Sequence, residues 1–172
     1  PTLLFAHTHP ERISSLILGT PGIATQIRFP IHQIMLFPFI LLFRPESYFP
    51  VPLKPEMFAE IPAYIEKIRQ DPMVLKIATA RLFFQVLRLR RWNHQRIEEI
   101  TSPVFLVSAG RDDICDNRRI KHFYSHVSSS VKAWIEYPQA KHMIEYSTHK
   151  DRYLADLFWW LSRFEGVKPD RG

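Results

Sequence analysis

Three short apolar runs that end in glycine or proline constrain this chain more than any other feature. They are "RISSLILG" from Arg12 to Gly19, "SPVFLVSAG" from Ser102 to Gly110 and "VKAWIEYP" from Val131 to Pro138. Each is short, apolar and bounded by turn residues, which is the pattern of a buried strand. Between the second and third runs, "NRRIKHFYSHV" repeats Ile120, Phe123, Tyr124 and Val127 at helical spacing. After the third, "RYLADLFWWLSRF" is expected to turn Leu154, Leu157, Phe158, Leu161 and Phe164 inward as one helical face. Strand, helix, strand, helix predicts an α/β fold with a parallel, doubly wound sheet and right-handed connections. "TLLFAHTH", ahead of the first run, reads as the end of a helix stopped at Pro10.

A long stretch, residues 22–98, separates the first two runs, holds most of the 14 prolines and is expected to be a helical, proline-punctuated insertion. In "FAEIPAYIEKIRQ", Ile61, Ile65 and Ile68 share a stripe and Pro62 opens the helix. "DPMVLKIATARLFFQVLRLRRW" is expected to be helical from Asp71 as N-cap and Pro72 at the first position, with Leu75, Ala78, Leu82, Val86 and Leu89 inward and Phe83 and Leu87 broadening the face. The expected organisation is a sheet-bearing core from residues 1–21 and 99–172, with 22–98 inserted as a helical cap.

With 172 residues and 46% apolar content, the chain can bury one core. Its single cysteine, Cys115, excludes an internal disulfide and makes a cytoplasmic setting the default expectation. The net charge of +6 is spread out except for "RLRRWNHQR", Arg88 to Arg96, read as a solvated helix end. Trp92 is the only aromatic residue in that run, so no nucleic-acid partner is expected. "IMLFPFILLF", Ile34 to Phe43, falls short of the ~20 residues that span a bilayer, and Pro38 interrupts it. A lid, a core segment and a peripheral membrane contact remain open for it. The chain opens on Pro1 without a methionine and is read as part of a longer protein.

The carboxyl end of the second run is chemically loaded. "GRDDICD" places Asp112, Asp113 and Asp116 where a buried strand ends, and "PQAKHMIEYS" places His142 at the end of the next. In parallel sheets, chemistry gathers at these ends because their loops converge on a rigid frame. An acid and then a histidine, from consecutive strand ends, have the order of the second and third members of a Ser, Asp, His relay. Asp113 is expected to be a turn residue facing water and Asp116 to cap the helix starting near Asn117.

On "LLFAHTHPERISSLILGTPG", "SPVFLVSAGRDDICDN" and "YPQAKHMIEYS", in that order and spacing, the chain resembles the C-terminal portion of an α/β-hydrolase of the capped lysophospholipase and monoacylglycerol-lipase-like branch. The resemblance implies a partial doubly wound parallel sheet with an inserted helical cap. It also implies Asp112 as acid and His142 as base of a serine hydrolase that works through an acyl-enzyme, with no cofactor and no metal. That branch carries its serine in G-x-S-x-G a few residues ahead of where Pro1 stands, and these 172 residues contain no such motif. Ser14, Ser15 and Ser108 are read as internal to strands, without elbow chemistry. The chain alone is therefore expected to be incomplete and inactive, with the N-terminal part of the fold as its missing partner.

The apolar lid run favours lipophilic esters, monoacylglycerol or lysophospholipid, because each buried methylene contributes about 0.8 kcal/mol. Ile34, Met35, Phe37 and Phe39 are its expected substrate contacts. An aspartate as nucleophile would instead make a dehalogenase or epoxide hydrolase, and a non-catalytic binding protein of the same fold is a further reading. His122 and His126 stand one helical turn apart, as zinc ligands do, but no glutamate flanks His122, and they are read as surface residues, like His7 and His9 near a helix end. Cys115 is read as a small packed residue.

Overall fold

The computed structural model describes residues 2–27 and 29–164. Helix α1, Thr2–Thr8, leads through a 3-10 turn at Pro10–Arg12 to strand β1, Leu16–Gly19. Next come helix α2 (Ile31–Phe43), strand β2 (Tyr48–Pro50), helix α3 (Pro62–Gln70), strand β3 (Ile77–Thr79) and helix α4 (Ala80–Gln95). Strand β4 (Val104–Ala109), helix α5 (Asn117–His126), strand β5 (Lys132–Tyr137) and helix α6 (Lys150–Ser162) complete it.

Strands β1, β4 and β5 form one parallel sheet in that order, with Leu16 opposite Val104 and Val104 opposite Lys132. All six residues of β4 are buried, as a strand covered on both faces requires, which explains its unbroken apolar sequence. Alternate residues feed two separate cores. On one face Leu16, Leu18, Val104 and Leu106 pack with Leu3 and Ala6 of α1 and Ile120 and Phe123 of α5. On the other, Phe105, Val107 and Ala109 pack with Tyr137 and with Trp160 of α6. Trp160 stacks on Phe105 at 5.3 Å, and its indole N–H donates to Ser15 Oγ at 3.2 Å, so a large ring is buried without orphaning its donor. Helices on both faces of a parallel sheet make the fold the expected doubly wound α/β one.

Several local expectations are corrected. The run from Arg12 becomes strand only at Leu16, where hydrogen bonding to β4 begins; Arg12 belongs to the preceding turn. No helix starts at Asp71. Its carboxylate accepts the N–H of Met73 at 2.8 Å, closing a turn, and Ile77–Thr79 then pair antiparallel with Tyr48–Pro50. α4 starts at Ala80, with Thr79 Oγ1 accepting from Leu82 N at 3.1 Å as the N-cap. Strand pairing with a distant segment has overridden a local helix signal. The later start also goes with a different buried face: Leu82, Val86 and Leu87 are exposed, while Ala80 and Asn93 are buried and Phe83 meets the rings of Phe29 and Phe49 edge-on. In α6 the packed stripe is Tyr153, Leu157, Trp160 and Phe164, whereas Leu154, Phe158 and Leu161 face outward. Trp160, omitted from the expected stripe, supplies the largest buried ring of that face.

His7 lies under the sheet-bearing core with its side chain 1% exposed, edge-on to Trp92 at 4.9 Å. Neither ring nitrogen has a hydrogen-bond partner among the described residues, and burial pulls its pKa below the usual 6.5 against the opposing pull of Glu99. As pH falls through that usual value, the unfolded chain takes up a proton that the folded one resists, so stability is lost on the acid side. Thermal stability of the complete protein should therefore fall between about pH 7 and pH 5, and His7→Phe should flatten that slope. Identical pH profiles for the two proteins would mean that the slope arises elsewhere.

Candidate active site

The acid loop begins with a forced close approach. A Cβ on Gly110 would lie 2.5 Å from the carbonyl oxygen of Pro138 and 2.6 Å from its Cα, so only glycine lets the end of β4 pass the end of β5. Two backbone bonds hold the crossing, Gly110 N to Tyr137 O at 2.8 Å and Arg111 N to Ala140 O at 3.0 Å. The chain then turns and buries the Asp112 side chain completely. Its Oδ1 accepts the N–H groups of Ile114 at 2.8 Å and Cys115 at 2.9 Å, which offsets the cost of burying a carboxylate and sets its plane. Oδ2 is left for His142 Nδ1 at 2.9 Å. Asp116 closes the loop as N-cap of α5, accepting from Arg118 N and Arg119 N.

His142, one-fifth exposed, is held by residues from the segment between β1 and β4. The Phe58 ring meets it edge-on at 5.8 Å, and Phe58 O accepts the N–H of Met143 at 2.8 Å. Glu60 uses both oxygens: Oε2 accepts from Lys141 N at 3.2 Å and Oε1 from Thr148 N at 3.1 Å. The Lys141 ammonium pairs with Asp113, so that residue ties the acid loop to the histidine loop rather than simply facing water. Behind the acid loop, Thr25 bridges to Cys115, Ala24 O accepts from Asp116 N at 3.1 Å, and the Gln26 amide donates to Asp112 O. Sequence reasoning passed over Gln26, Phe58 and Glu60. They join the site across 81 to 88 positions of chain at Glu60 and 86 at Gln26, and no local pattern marks them.

With Asp112 accepting at Nδ1, neutral His142 carries its proton there and leaves Nε2 as a lone-pair acceptor, the arrangement of a general base. Cys115 Sγ stands 3.8 Å from the same Nδ1 and donates weakly to Thr20 O and Pro21 O, each at 3.5 Å. Burial, with Asp112 close by, pushes its thiol up to about 12, so it stays protonated and is a poor nucleophile at neutral pH. Ligand atoms of Asp112, Cys115 and His142 lie within 4.8 Å of one another, but a protonated thiol and a carboxylate already hydrogen-bonded at both oxygens suit a hydrogen-bonded pair better than a metal. His122 and His126 stack ring on ring at 4.0 Å, and His94 continues the stack at 6.0 Å. Among the described residues they form no three-ligand group.

A cavity of about 510 Å³ at Asp112, which His142 does not line, is bounded by Asp112, Cys115, Gln26, Arg111 and Lys141 and by Asp116 and Arg118. Ile34, Met35 and Phe39 are exposed on α2 and Phe37 is half-buried, its ring 6.2 Å from Phe49; none of the four lines this cavity. Ser108 is fully buried and accepts the indole N–H of Trp134 at 2.8 Å, while Ser15 receives Trp160, so both serve packed rings. No helix among the described residues is long and apolar enough to cross a membrane.

The fold is similar to that of a monoacylglycerol lipase from Paleococcus ferrophilus, with a TM-score of 0.84 and 20% identity, covering 92% of this chain and 62% of that one. It is also similar to a soluble variant of the Saccharomyces cerevisiae monoglyceride lipase solved with a substrate analog, with a TM-score of 0.79 and 20% identity, covering 94% of this chain and 58% of the other. The chain thus spans about three-fifths of each of these lipases. No curated protein matches its sequence. A family model described as serine aminopeptidase, S33, matches residues 2–148, and with the parallel sheet and its flanking helices this places the chain in the S33 family of α/β-hydrolases.

Proposed function

We propose that the complete protein hydrolyses lipophilic carboxylic esters, monoacylglycerol or lysophospholipid, with Asp112 and His142 as two members of its triad. The carrying observation is the 2.9 Å contact between a fully buried carboxylate and His142 Nδ1 at adjacent strand ends. In this reading the third member is a serine in the N-terminal part of the fold, outside these 172 residues. His142 Nε2 takes the serine proton as Oγ attacks the ester carbonyl, and Asp112 stabilises the imidazolium. The same proton goes to the departing alkoxide, leaving an acyl-enzyme that water cleaves by the reverse sequence. A fluorophosphonate probe should label one serine of the complete protein, and labelling should fall sharply in His142→Ala. Absence of any labelled serine would overturn the proposal.

Residues 22–98 act in this proposal as a cap, with α2 as its lipid-facing edge. No residue of α2 is buried, and Met35, Phe39, Leu42 and Phe43 are 64–74% exposed, a large apolar surface for a short helix. That surface suits a peripheral contact with lipid, from which an acyl chain passes to the site. On p-nitrophenyl esters, kcat/KM of the complete protein should rise from acetate to octanoate. Replacing Phe37 and Phe39 together by serine should flatten the rise; an unchanged trend would remove these two residues from substrate selection.

A further inference from the structure

The basic run Arg88 to Arg96 does not point only into solvent. It forms the last two turns of α4, with Arg96 as the C-cap, and faces the first turns of α5 across a cleft of about 840 Å³, lined by Arg90, Arg91, Arg118 and Arg119 with a single carboxylate, Asp116. His94 and His122 close one side, and neither Asp112 nor His142 belongs to the lining. Asp116 cannot neutralise the four guanidiniums. Its carboxylate already accepts two backbone N–H groups as the cap of α5 and reaches Arg118 and Arg119 only at 4.0 and 3.8 Å. Arg90 and Arg91 have no carboxylate partner among the described residues. Arg90 is nevertheless fixed, its Nε donating to Ile23 O at 3.0 Å, which leaves both terminal nitrogens for another partner.

We propose that this cleft is a binding site for a phosphate group, gripped by Arg90 from α4 and Arg119 from α5, with Arg91 and Arg118 at its rim. Guanidinium forks pair with phosphate oxygens two at a time, and a phosphate near −2 suits an excess of positive charge better than a single carboxylate does. Burial, and the neighbouring charge of Arg119, pull the Arg90 pKa down, the mark of a partly desolvated cation facing a like charge, and an anion between them relieves both. The phosphate could come from a lipid headgroup or from a soluble phosphate, and the chemistry of the cleft is the same for each. The cleft shares Asp116 and Arg118 with the cavity at Asp112, but Arg90 and Arg119 line the cleft alone, so the proposal does not rest on the ester reaction proposed above.

The test uses the complete protein in two arms. One titrates inorganic phosphate by calorimetry; the other sediments the protein with phosphatidylcholine vesicles that contain or lack phosphatidic acid. Arg90→Gln with Arg119→Gln should weaken phosphate binding by about tenfold or more, the scale of lost charge-assisted bonds. Arg119→Gln alone, at a side chain 69% exposed, should weaken it in the same direction without disturbing the fold. Phosphate binding in solution that both variants weaken assigns the cleft to a soluble phosphate. Binding only to vesicles with phosphatidic acid, weakened by both, assigns it to a headgroup. No binding in either arm, or binding that both variants leave intact, overturns the proposal.

Discussion

Asp112→Asn in the complete protein should lower kcat by about 10⁴, or roughly 5.5 kcal/mol of transition-state stabilisation. The buried asparagine would keep the shape of the acid, and its amide could still accept from Ile114 N and Cys115 N through one oxygen. It would then present an N–H to His142 Nδ1 and drive the ring proton to Nε2, where a base must be bare. His142→Ala should be at least as damaging, and the double variant little worse than His142→Ala alone, because the acid acts only through the base. Asp113→Asn and Asp116→Asn should change the rate by less than about tenfold, since a part-exposed ion pair and a helix cap each contribute only ~1 kcal/mol. Steady-state esterase kinetics on the four single variants and the double decides the matter. A crippled Asp113→Asn beside a near-normal Asp112→Asn would identify a different acid.

Gly110→Ala should have the next largest effect, although glycine takes no part in the chemistry. The added methyl would sit 2.5 Å from Pro138 O and 2.8 Å from Pro138 C, both backbone atoms, so no side chain can swing aside. Either the acid loop or the histidine loop must move, and a shift of about 1 Å between catalytic groups costs on the order of 10² in rate. We expect kcat to fall by about that factor while the protein loses about 1–3 kcal/mol of stability, as overpacking usually costs. Unfolding by denaturant and kinetics on the same preparation separate the two effects. Normal turnover in a folded Gly110→Ala protein would show that the strand ends have slack that the structure does not suggest.

The positions of Asp112 and His142 are legible in the amino-acid sequence because both stand at the ends of apolar runs that have no alternative to being buried strands. "FLVSAG" is apolar on both faces, and such a run is stable only in the middle of a covered sheet, so the polar residues that follow must emerge at its edge. The cap of α5 is legible for the same local reason: Asp116 stands where the helix needs an acceptor for its first N–H groups. Asp71 shows the limit of that reasoning. It has the sequence of a helix cap followed by proline, yet it closes a turn, because Ile77–Thr79 gain more from pairing with Tyr48–Pro50 than a helix extended by those residues would gain.

The amphipathic faces mark a second limit. In α6 several apolar stripes share one helix, and periodicity cannot say which is buried when leucine, phenylalanine and tryptophan surround the axis. Packing on Phe105 chose Tyr153, Leu157, Trp160 and Phe164. The surroundings of the candidate site are hidden from the sequence for a related reason. Glu60 acts on the histidine loop through two hydrogen bonds, and Gln26 on the acid loop through one, all across more than eighty residues, which leave no trace in spacing or composition. The amino-acid sequence by itself determined the three strands of the parallel sheet and the placement of Asp112 and His142 at neighbouring strand ends, since burial of apolar runs is a local demand. Only the tertiary structure decided which helix faces are covered, that residues 77–79 are strand, and that Phe58 and Glu60 hold the histidine loop, because those outcomes depend on which distant surfaces pack against each residue.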